Sequence, residues 1–377
     1  MGGETHMEAR VKLGRIWGIP IGLHTSWFLI FGLVTLSLAV GYFPNEYAEL
    51  PELSYWVLAA ITSVLFFASV LLHELAHARL ALRNRVPVRG ITLFIFGGVA
   101  EIQQEPRSAG AEFRIAIAGP IMSLFLAIVF GMVWVLDRQI PYLAAPGMWL
   151  ARINFMLAAF NMIPGFPLDG GRVLRAVVWK LSGSMYKATR VAATSGQLVA
   201  FGFMGLGLFS MLFGGLFDGL WLIFIGWFLH SAAAASLRQS EVQEKLQDMT
   251  VAQVMNHSWP QIPGQLSLRE IVDGQTLSSG WRSFFVNDNG HVNGMLTLRD
   301  VLAVPQGLWT QVTARQVMTP WERLLRIGPA TELTTALQLM ERANVPTAPV
   351  VEGDRMIGVL SRDQVMRYLH LRSEMGI

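Results

Sequence analysis

The 377-residue sequence contains no cysteine and few charged side chains, which make up only 15% of its residues. Without cysteine the chain cannot form disulfides or thiolate metal sites, so His, Asp or Glu must hold any metal ion. Soluble proteins usually carry about 25% charged residues, whereas 53% of this chain is hydrophobic. A lipid bilayer is therefore expected to be part of its solvent.

Six apolar runs are long enough to cross a bilayer as helices, which takes about 17–25 residues each. They cover residues 25–43, 56–82, 113–136, 146–163, 191–213 and 216–235. The first run is longer than a signal-peptide core of about 7–15 residues, so we predict a membrane anchor there. We expect a leader and basic segment over residues 1–20 and a six-helix membrane domain over residues 21–238.

The basic residues lie in short loops and form no patch, and the net charge is only +3. This distribution argues against nucleic acid as a partner. Lysine and arginine precede the first apolar run, follow the second and separate the fourth from the fifth, whereas the loop after the first run carries three glutamates. Because cytoplasmic loops are enriched in lysine and arginine, we predict a multi-pass cell-membrane protein with both termini in the cytoplasm.

Residues 91–102, between the second and third apolar runs, are rich in β-branched and aromatic side chains. The segment is too short to span a bilayer, and Gly97-Gly98 interrupts it. Such composition favours β-structure. We predict a short strand or hairpin at the edge of the membrane.

The remainder of the chain has the composition of a soluble domain and contains an internal repeat. The sequence TVAQVM at residues 250–255 recurs as TARQVM at residues 313–318, and GMLT at 294–297 recurs as GVLS at 358–361. We predict two copies of one α+β unit, over residues 239–309 and 310–377.

The pattern His-Glu-x-x-His closes the second apolar run, as His73, Glu74 and His77. Two histidines four residues apart on a helix lie on one face and can bind one tetrahedral zinc ion, while the glutamate stands beside a water molecule. Ionisable side chains are costly in a membrane span and are usually functional there. We predict His73 and His77 as metal ligands; chance recurrence of three letters is the alternative.

A candidate for the third ligand follows the fourth apolar run. Asp169 lies in residues 161–171, a segment that contains two prolines and ends with paired glycines. A broken helix at membrane depth is tolerated where it lines a cavity or packs on protein. The second and fourth spans run in the same direction, which brings Asp169 toward the end of the membrane that holds His77. A helix-stop or turn aspartate is the alternative interpretation.

Together these residues resemble the site-2 protease family of intramembrane zinc metalloproteases, in the subgroup that carries tandem CBS domains. The most specific matches are His73-Glu-x-x-His77 and Asn161-x-x-Pro-x-x-Pro-x-Asp169-Gly, and the resemblance covers nearly the whole chain. It implies that Asp169 is the third ligand of one catalytic Zn²⁺ and that Asn161 lies near the developing oxyanion. The segment around Gly97-Gly98 is similar to the family strand that binds substrate.

The resemblance implies that the substrate is a transmembrane segment of a single-pass membrane protein. Glu74 would take a proton from the attacking water and deliver it to the leaving amine. A peptide carbonyl in a helix is already hydrogen-bonded, so the substrate must unwind, and we expect it to add as a strand to residues 91–96. The candidate substrate-binding residues are Ile95, Phe96, Gly97 and Gly98. A hairpin that only packs against the spans is the alternative.

CBS domains pair into one module and in many proteins bind adenine nucleotides through a signature of Gly, two apolar residues, Ser or Thr, two residues and Asp. The first copy fits this signature, but in the second Gln364 stands at the acidic position and Asp363 is one place early. The resemblance thus implies an ATP or AMP site. The candidate contacts are Thr297, Asp300, Ser361 and Asp363. A purely structural or dimerising module is the alternative. Because CBS pairs often dimerise, we also expect a homodimer.

Two other classes of protein compete with a protease. CBS domains also occur on channels and transporters, but transport predicts internal repeats in the membrane half and ionisable residues on several spans. The intramembrane charges concentrate instead at His73, Glu74, His77 and Asp169. A catalytically inactive metal-binding receptor is the other alternative, which an intact Glu74 disfavours.

Overall fold

The computed structural model describes residues 11–374 except 96, 103–104, 137–138, 247–248, 277–281, 289 and 354. The chain divides into two compact units, Met1–Ser240 and Glu241–Ile377. The division follows the change in composition, because the apolar runs all lie in the first unit and the internal repeat lies in the second.

The first unit is built from long apolar helices. Its helices are α1 (Thr25–Leu36), α2 (Phe43–Glu46), α3 (Glu52–Arg83), α4 (Ala109–Leu136), α5 (Pro141–Asn161), α6 (Asp169–Ser182), α7 (Met185–Phe213) and α8 (Leu216–Leu246). A π-helical turn, Ser37–Tyr42, joins α1 to α2. Within the described residues, six helical segments are long and apolar enough to cross a membrane, which confirms the six predicted spans. The short helix α6 is not one of them.

A four-stranded sheet packs against α3. Its strands lie in the order β1 (Val11–Ile16), β2 (Ile19–Leu23), β3 (Val88–Phe94) and β4 (Gly97–Ile102). Strands β2 and β3 pair in parallel, and β3 and β4 form an antiparallel hairpin, which confirms the β-structure predicted for residues 91–102. Ile19 and Ile21 of β2 are buried against Leu75 and Ala78 of α3. The sheet therefore lies beside the turns of α3 that carry the His-Glu-x-x-His pattern.

The domain boundary predicted at residue 20 is wrong. Strands β1 and β2 form an antiparallel hairpin whose turn residues, Trp17 and Gly18, both have positive φ, as a type I′ turn requires. Strand β2 runs through residue 20, and its apolar residues Ile19, Ile21 and Leu23 are buried. Because this buried strand pairs with β3, residues 11–23 belong to the membrane unit.

The second unit contains two copies of a strand–turn–strand–helix element. Its helices are α9 (Val251–Val254), α10 (Leu268–Ile271), α11 (Leu298–Leu302), α12 (Ala314–Val317), α13 (Leu333–Arg342) and α14 (Arg362–Glu374). Its strands are β5 (Gln261–Pro263), β6 (Ser283–Asp288), β7 (His291–Thr297), β8 (Thr319–Pro320), β9 (Thr347–Glu352) and β10 (Arg355–Ser361). One sheet has the order β5-β6-β7-β8, and β9 and β10 form a second. The predicted α+β class is confirmed.

The two repeat copies exchange their first helices. Thr250 and Thr313 begin α9 and α12 with the same capping box, as the sequence repeat predicts. Helix α9 packs in the core of the second copy with Leu333, whereas Ala314 of α12 packs in the core of the first copy with Leu268. The predicted boundary between residues 309 and 310 therefore divides the sequence repeat but not the packed cores.

Candidate active site

His73 and His77 lie on one face of α3, where the four-residue spacing brings their rings together. Both residues are buried, each about 4% exposed, and their Nε2 atoms are 3.2 Å apart. Tetrahedral zinc holds nitrogen ligands at about 2.0–2.1 Å, which places its ligand atoms about 3.3 Å from one another. The two nitrogens therefore have the spacing of ligands around one ion.

Asp169 is the first residue of α6, and its carboxylate meets the histidine pair. Its Oδ2 lies 3.2 Å from Nε2 of His73 and 3.1 Å from Nε2 of His77. Among the residues that the structure describes, these three form the only cluster of His, Asp and Glu side chains that could hold a metal ion. The turn interpretation of Asp169 leaves this convergence unexplained.

Close backbone packing fixes the loop that precedes Asp169. A Cβ at Gly196 of α7 would overlap the carbonyl oxygen of Phe166, and a Cβ at Gly171 of α6 would overlap the backbone of the same loop. The amide of Phe166 donates to the carbonyl of Ala192 at 3.1 Å. The glycines thus allow the loop to lie directly against α6 and α7, which holds the start of α6 in place.

The other ring nitrogens of the two histidines are hydrogen-bonded to α4. Nδ1 of His77 lies 2.7 Å from the carbonyl oxygen of Ile115. A carbonyl only accepts, so Nδ1 carries the proton and Nε2 presents its lone pair. Nδ1 of His73 lies 2.9 Å from Oγ of Ser123. Such contacts orient metal-binding histidines, so α4 supports both rings.

Gly119 of α4 is a functional candidate that no sequence pattern predicted. A Cβ at this position would overlap Nε2 of His77 and lie 2.5 Å from Nε2 of His73. Ile115, Gly119 and Ser123 follow a four-residue spacing, so one face of α4 covers the histidine pair. The glycine carries no chemistry of its own, and its role is visible only once α4 is known to pack on α3.

Glu74 faces the beginning of β4. A Cβ added at Gly98 would lie 2.5 Å from Cγ of Glu74 and 3.3 Å from its Cδ. The backbone of Ala100 also lies near the glutamate carboxylate. The absence of a side chain at position 98 therefore leaves room for the carboxylate beside the strand. One glutamate is adjacent both to a candidate ligand, His73, and to the edge of the sheet.

The predicted substrate-binding residues fall on two different elements. Ile95 lies in the turn between β3 and β4, where its amide donates to Oγ of Ser26 at 3.2 Å. Phe96 lies outside the described residues. Gly97 and Gly98 begin β4. Gly98 therefore lies beside Glu74, whereas Ile95 is bound to the start of α1.

The prediction that a substrate adds to residues 91–96 is wrong, because β3 is an internal strand. It pairs with β2 on one side and with β4 on the other. In the described sheet, β4 is the edge strand next to α3. An added strand would therefore pair with Gly97–Ile102 instead.

Asn161 is the last residue of α5, and its amide is engaged within its own helix. Nδ2 donates to the carbonyl of Leu157 at 3.0 Å. An amide NH₂ has two N–H groups, so one N–H is left for a second acceptor. Asn154, two turns earlier, is buried and donates to the carbonyl of Leu150 at 2.9 Å in the same way. Both contacts lie within α5 and not with the three candidate ligand atoms.

In the second unit, one cavity of about 760 Å³ brings together the four predicted nucleotide-binding residues. Its lining includes Thr297, Asp300, Ser361 and Asp363. The first two also bond to each other at the start of α11, with 2.7 Å between Oγ1 and Oδ2. The side-chain Nε2 of Gln364 instead donates to the carbonyl of Val254 at 2.5 Å. Asp363, which lies one position before the acidic position of the nucleotide signature, thus lines the cavity.

Comparison with known proteins gives the family. The model described as Peptidase family M50 matches residues 61–142 and 139–206, and the CBS domain model matches residues 314–371 in the second repeat copy. A Synechocystis sp. protein with the provisional name zinc metalloprotease sll0528 is 35% identical over 384 residues, covering 98% of this chain and 97% of that protein. The chain belongs to peptidase family M50.

Other proteins resemble this M50 peptidase over much of its length. Rip3 of Mycobacterium tuberculosis, also provisionally named a zinc metalloprotease, is 33% identical over 372 residues, covering 96% of this chain and 93% of Rip3. A solved site-2 protease from Methanocaldococcus jannaschii is 33% identical and covers 60% of this chain and 94% of that one, with a TM-score of 0.42. The predicted site-2 protease and CBS resemblance is confirmed. Membership of a peptidase family also decides against the channel or transporter alternative.

Proposed function

We propose that this M50 peptidase hydrolyses peptide bonds of membrane proteins at a zinc ion held by His73, His77 and Asp169. The observation that carries this proposal is the convergence of three ligand atoms from α3 and α6, with separations of 3.1 to 3.2 Å. Two imidazoles and one carboxylate fit zinc and leave its fourth tetrahedral position open. The missing side chain at Gly119 supports the same arrangement, because it keeps the space beside both nitrogens free.

The catalytic steps fall to side chains around this proposed zinc site. A bound zinc ion supplies polarisation of the scissile carbonyl and a lowered pKa for water. Glu74 takes the proton of the attacking water and passes it to the leaving amine. The family resemblance implies that Asn161 lies near the developing oxyanion, where its second N–H would donate to the scissile carbonyl oxygen.

A transmembrane segment of a single-pass protein is the proposed substrate. Its scissile peptide must leave the helical conformation, and the freed N–H and C=O groups need partners because the bilayer supplies none. The edge strand β4 offers such partners through strand addition. Gly98 lies against Glu74 on this strand, so a substrate paired with β4 would present its backbone close to the catalytic base.

Removal of the metal is expected to abolish cleavage reversibly. The purified full chain should hold about one zinc ion, lose activity on treatment with a chelator, and regain it when zinc is returned. Asp169→Ala should bind zinc much more weakly than the parent, as measured by chelator competition. Asp218→Ala removes another first-turn aspartate, at the start of α8, and should bind zinc like the parent. Parental zinc affinity in Asp169→Ala would reject the ligand assignment.

We also propose that both termini are cytoplasmic, an orientation supported by the basic loops. The chain has no cysteine, so single introduced cysteines report topology without background labelling. In intact cells, Glu49→Cys at an exposed position in the loop between α2 and α3 should react with an impermeant maleimide. Ser182→Cys, at the exposed C-terminal end of α6, should react only after the membrane is opened. The reverse labelling pattern would contradict the orientation.

An adenine nucleotide is the proposed ligand of the cavity in the second unit. A volume of about 760 Å³ lies within the usual range of ligand sites, about 300–1,000 Å³. The exposed side chains of Arg299 and Arg323 line the same cavity as Asp363. Arginine pairs readily with phosphate, and an aspartate can accept from ribose hydroxyls. Such a ligand would regulate cleavage only if it bound two states of the enzyme with different affinities.

Titration of the full chain with ATP and AMP tests the nucleotide proposal. Asp363→Asn should weaken binding about tenfold or more, because a hydrogen bond to a charged group contributes about 1.5–3 kcal/mol. Asp273→Asn removes an aspartate paired with Arg269 outside the cavity lining and should leave binding unchanged. No binding to the parent would reject the proposal and favour a structural or dimerising module. The mass of the protein in detergent would then test for a homodimer.

A further inference from the structure

Arg175 of α6 is a buried arginine that contacts three other parts of the membrane unit: α4, the segment before α4 and the loop before α6. Its Nε donates to Oε1 of Glu112 in α4 at 2.5 Å, and its Nη2 forms an ion pair with the same oxygen. Nη1 donates to Oε1 of Glu105 at 3.3 Å. The guanidinium also lies over the ring of Phe166, 5.2 Å from its centroid. The Arg175 side chain is 9% exposed and that of Glu112 is fully buried.

These contacts join the elements that carry and support the candidate ligands. Arg175 lies on the helix that begins with Asp169, and Phe166 belongs to the loop that leads into that residue. Glu112 is one turn before Ile115, whose carbonyl binds Nδ1 of His77. The ion pair therefore links the helix of the carboxylate ligand to the helix that orients the imidazole ligands.

Stability alone does not account for such a pair. Burying a guanidinium and a carboxylate costs desolvation energy that their attraction barely repays, and apolar residues of similar size often stabilise a protein equally well. The planar guanidinium, by contrast, donates hydrogen bonds in fixed directions, so it orients the two helices relative to each other in a way that apolar packing does not. In the described residues, the other oxygen of Glu112 has no hydrogen-bond partner, so this carboxylate depends on Arg175.

We propose that Arg175 is a positioning residue, which through Glu112 holds α6 so that the Asp169 carboxylate reaches the histidine pair. The proposal rests on the zinc site proposed above and adds a residue that touches neither zinc nor substrate. Residues that orient metal ligands typically change metal affinity about 10–100-fold when mutated. Loss of the Arg175–Glu112 pair should therefore appear in zinc affinity and not only in folding.

The double variant Glu112→Leu/Arg175→Met separates positioning from stability, because it leaves no buried charge of the pair unpaired. Full-length protein in detergent should keep a melting temperature close to that of the parent but bind zinc about 10–100-fold more weakly. Cobalt substituted for zinc should show a changed visible absorption spectrum. Parental zinc affinity and an unchanged cobalt spectrum in a folded double variant would overturn the proposal.

Arg175→Lys keeps the charge but loses the planar pair of donors, and it tests the same idea if the double variant fails to fold. Zinc affinity should again fall, by about tenfold, while Arg114→Met should bind zinc like the parent. Arg114 is a matched control because it is an exposed arginine of α4 that bonds to Asn84 at 2.6 Å. Parental affinity in Arg175→Lys would overturn the positioning role. Failure of the parent itself to bind zinc would instead reject the metal site.

Discussion

Replacement of Glu74 by glutamine is expected to slow peptide cleavage by about 10²–10⁴-fold, the usual contribution of a general acid–base residue. Glutamine has nearly the same size, so it should fit the space between α3 and Gly98 that the glutamate occupies. It cannot accept the proton of the attacking water. Zinc binding should persist, because the proposed ligands His73, His77 and Asp169 are unchanged.

The measurement is cleavage of a single-pass membrane protein by purified, zinc-loaded protein, with zinc content determined on the same samples. Glu52→Gln is the matched control, since Glu52 lies exposed in the first turn of the same helix, and it should cleave at the parental rate. Unchanged cleavage by Glu74→Gln would reject the mechanism. A parent that binds zinc but cuts no substrate would favour the inactive receptor.

The position of Glu74 connects the base with the substrate strand. Its neighbours Gly98 and Ala100 both belong to β4, the edge strand proposed to receive the unwound substrate. A peptide paired there would have its backbone within reach of the carboxylate without a further change of fold. Substitution of Gly98 by a larger residue would therefore disturb both the base and the strand.

The membrane spans were predictable because each depends on a local property, a long apolar run. The hairpin of β1 and β2 was missed, since its strands are short and lie in a segment marked mainly by basic residues. Its burial depends on pairing of Ile21 with Ile91, a partner far away in sequence. The same limitation explains the error over β3, whose two neighbours are visible only when the whole sheet is assembled.

The residues of the candidate site also differ in how far the sequence alone could predict them. Helical spacing alone places His73 and His77 together, because residues four apart share a face. The interpretation of Asp169 needed the family resemblance, since a Pro/Gly-rich loop gives an aspartate several structural roles. The supporting face of α4 could not be predicted, because Gly119 has no functional group and the role of Ile115 belongs to its backbone carbonyl.

Gly119→Ala is expected to weaken zinc binding by at least about 100-fold, the upper end of effects seen for residues that only orient ligands. The added methyl group would overlap Nε2 of His77 and lie 2.5 Å from Nε2 of His73. Alanine favours a helix over glycine by about 0.5–1 kcal/mol, so helix weakening cannot explain a loss. The expected defect therefore comes from the space that the methyl group takes beside the two nitrogens.

Gly131→Ala is the matched control, because it is the same substitution in the same helix. A Cβ at Gly131 would lie 3.9 Å from Cβ of Ala151, an ordinary contact. That variant should bind zinc and cleave substrate like the parent. Competition with a chelator measures zinc affinity, and the melting temperature of each variant shows whether it is folded. Parental zinc affinity in folded Gly119→Ala would mean that the Nε2 atoms of His73 and His77 do not bind the ion in the space beside Gly119. The ligand arrangement proposed for these two histidines would then have to be abandoned.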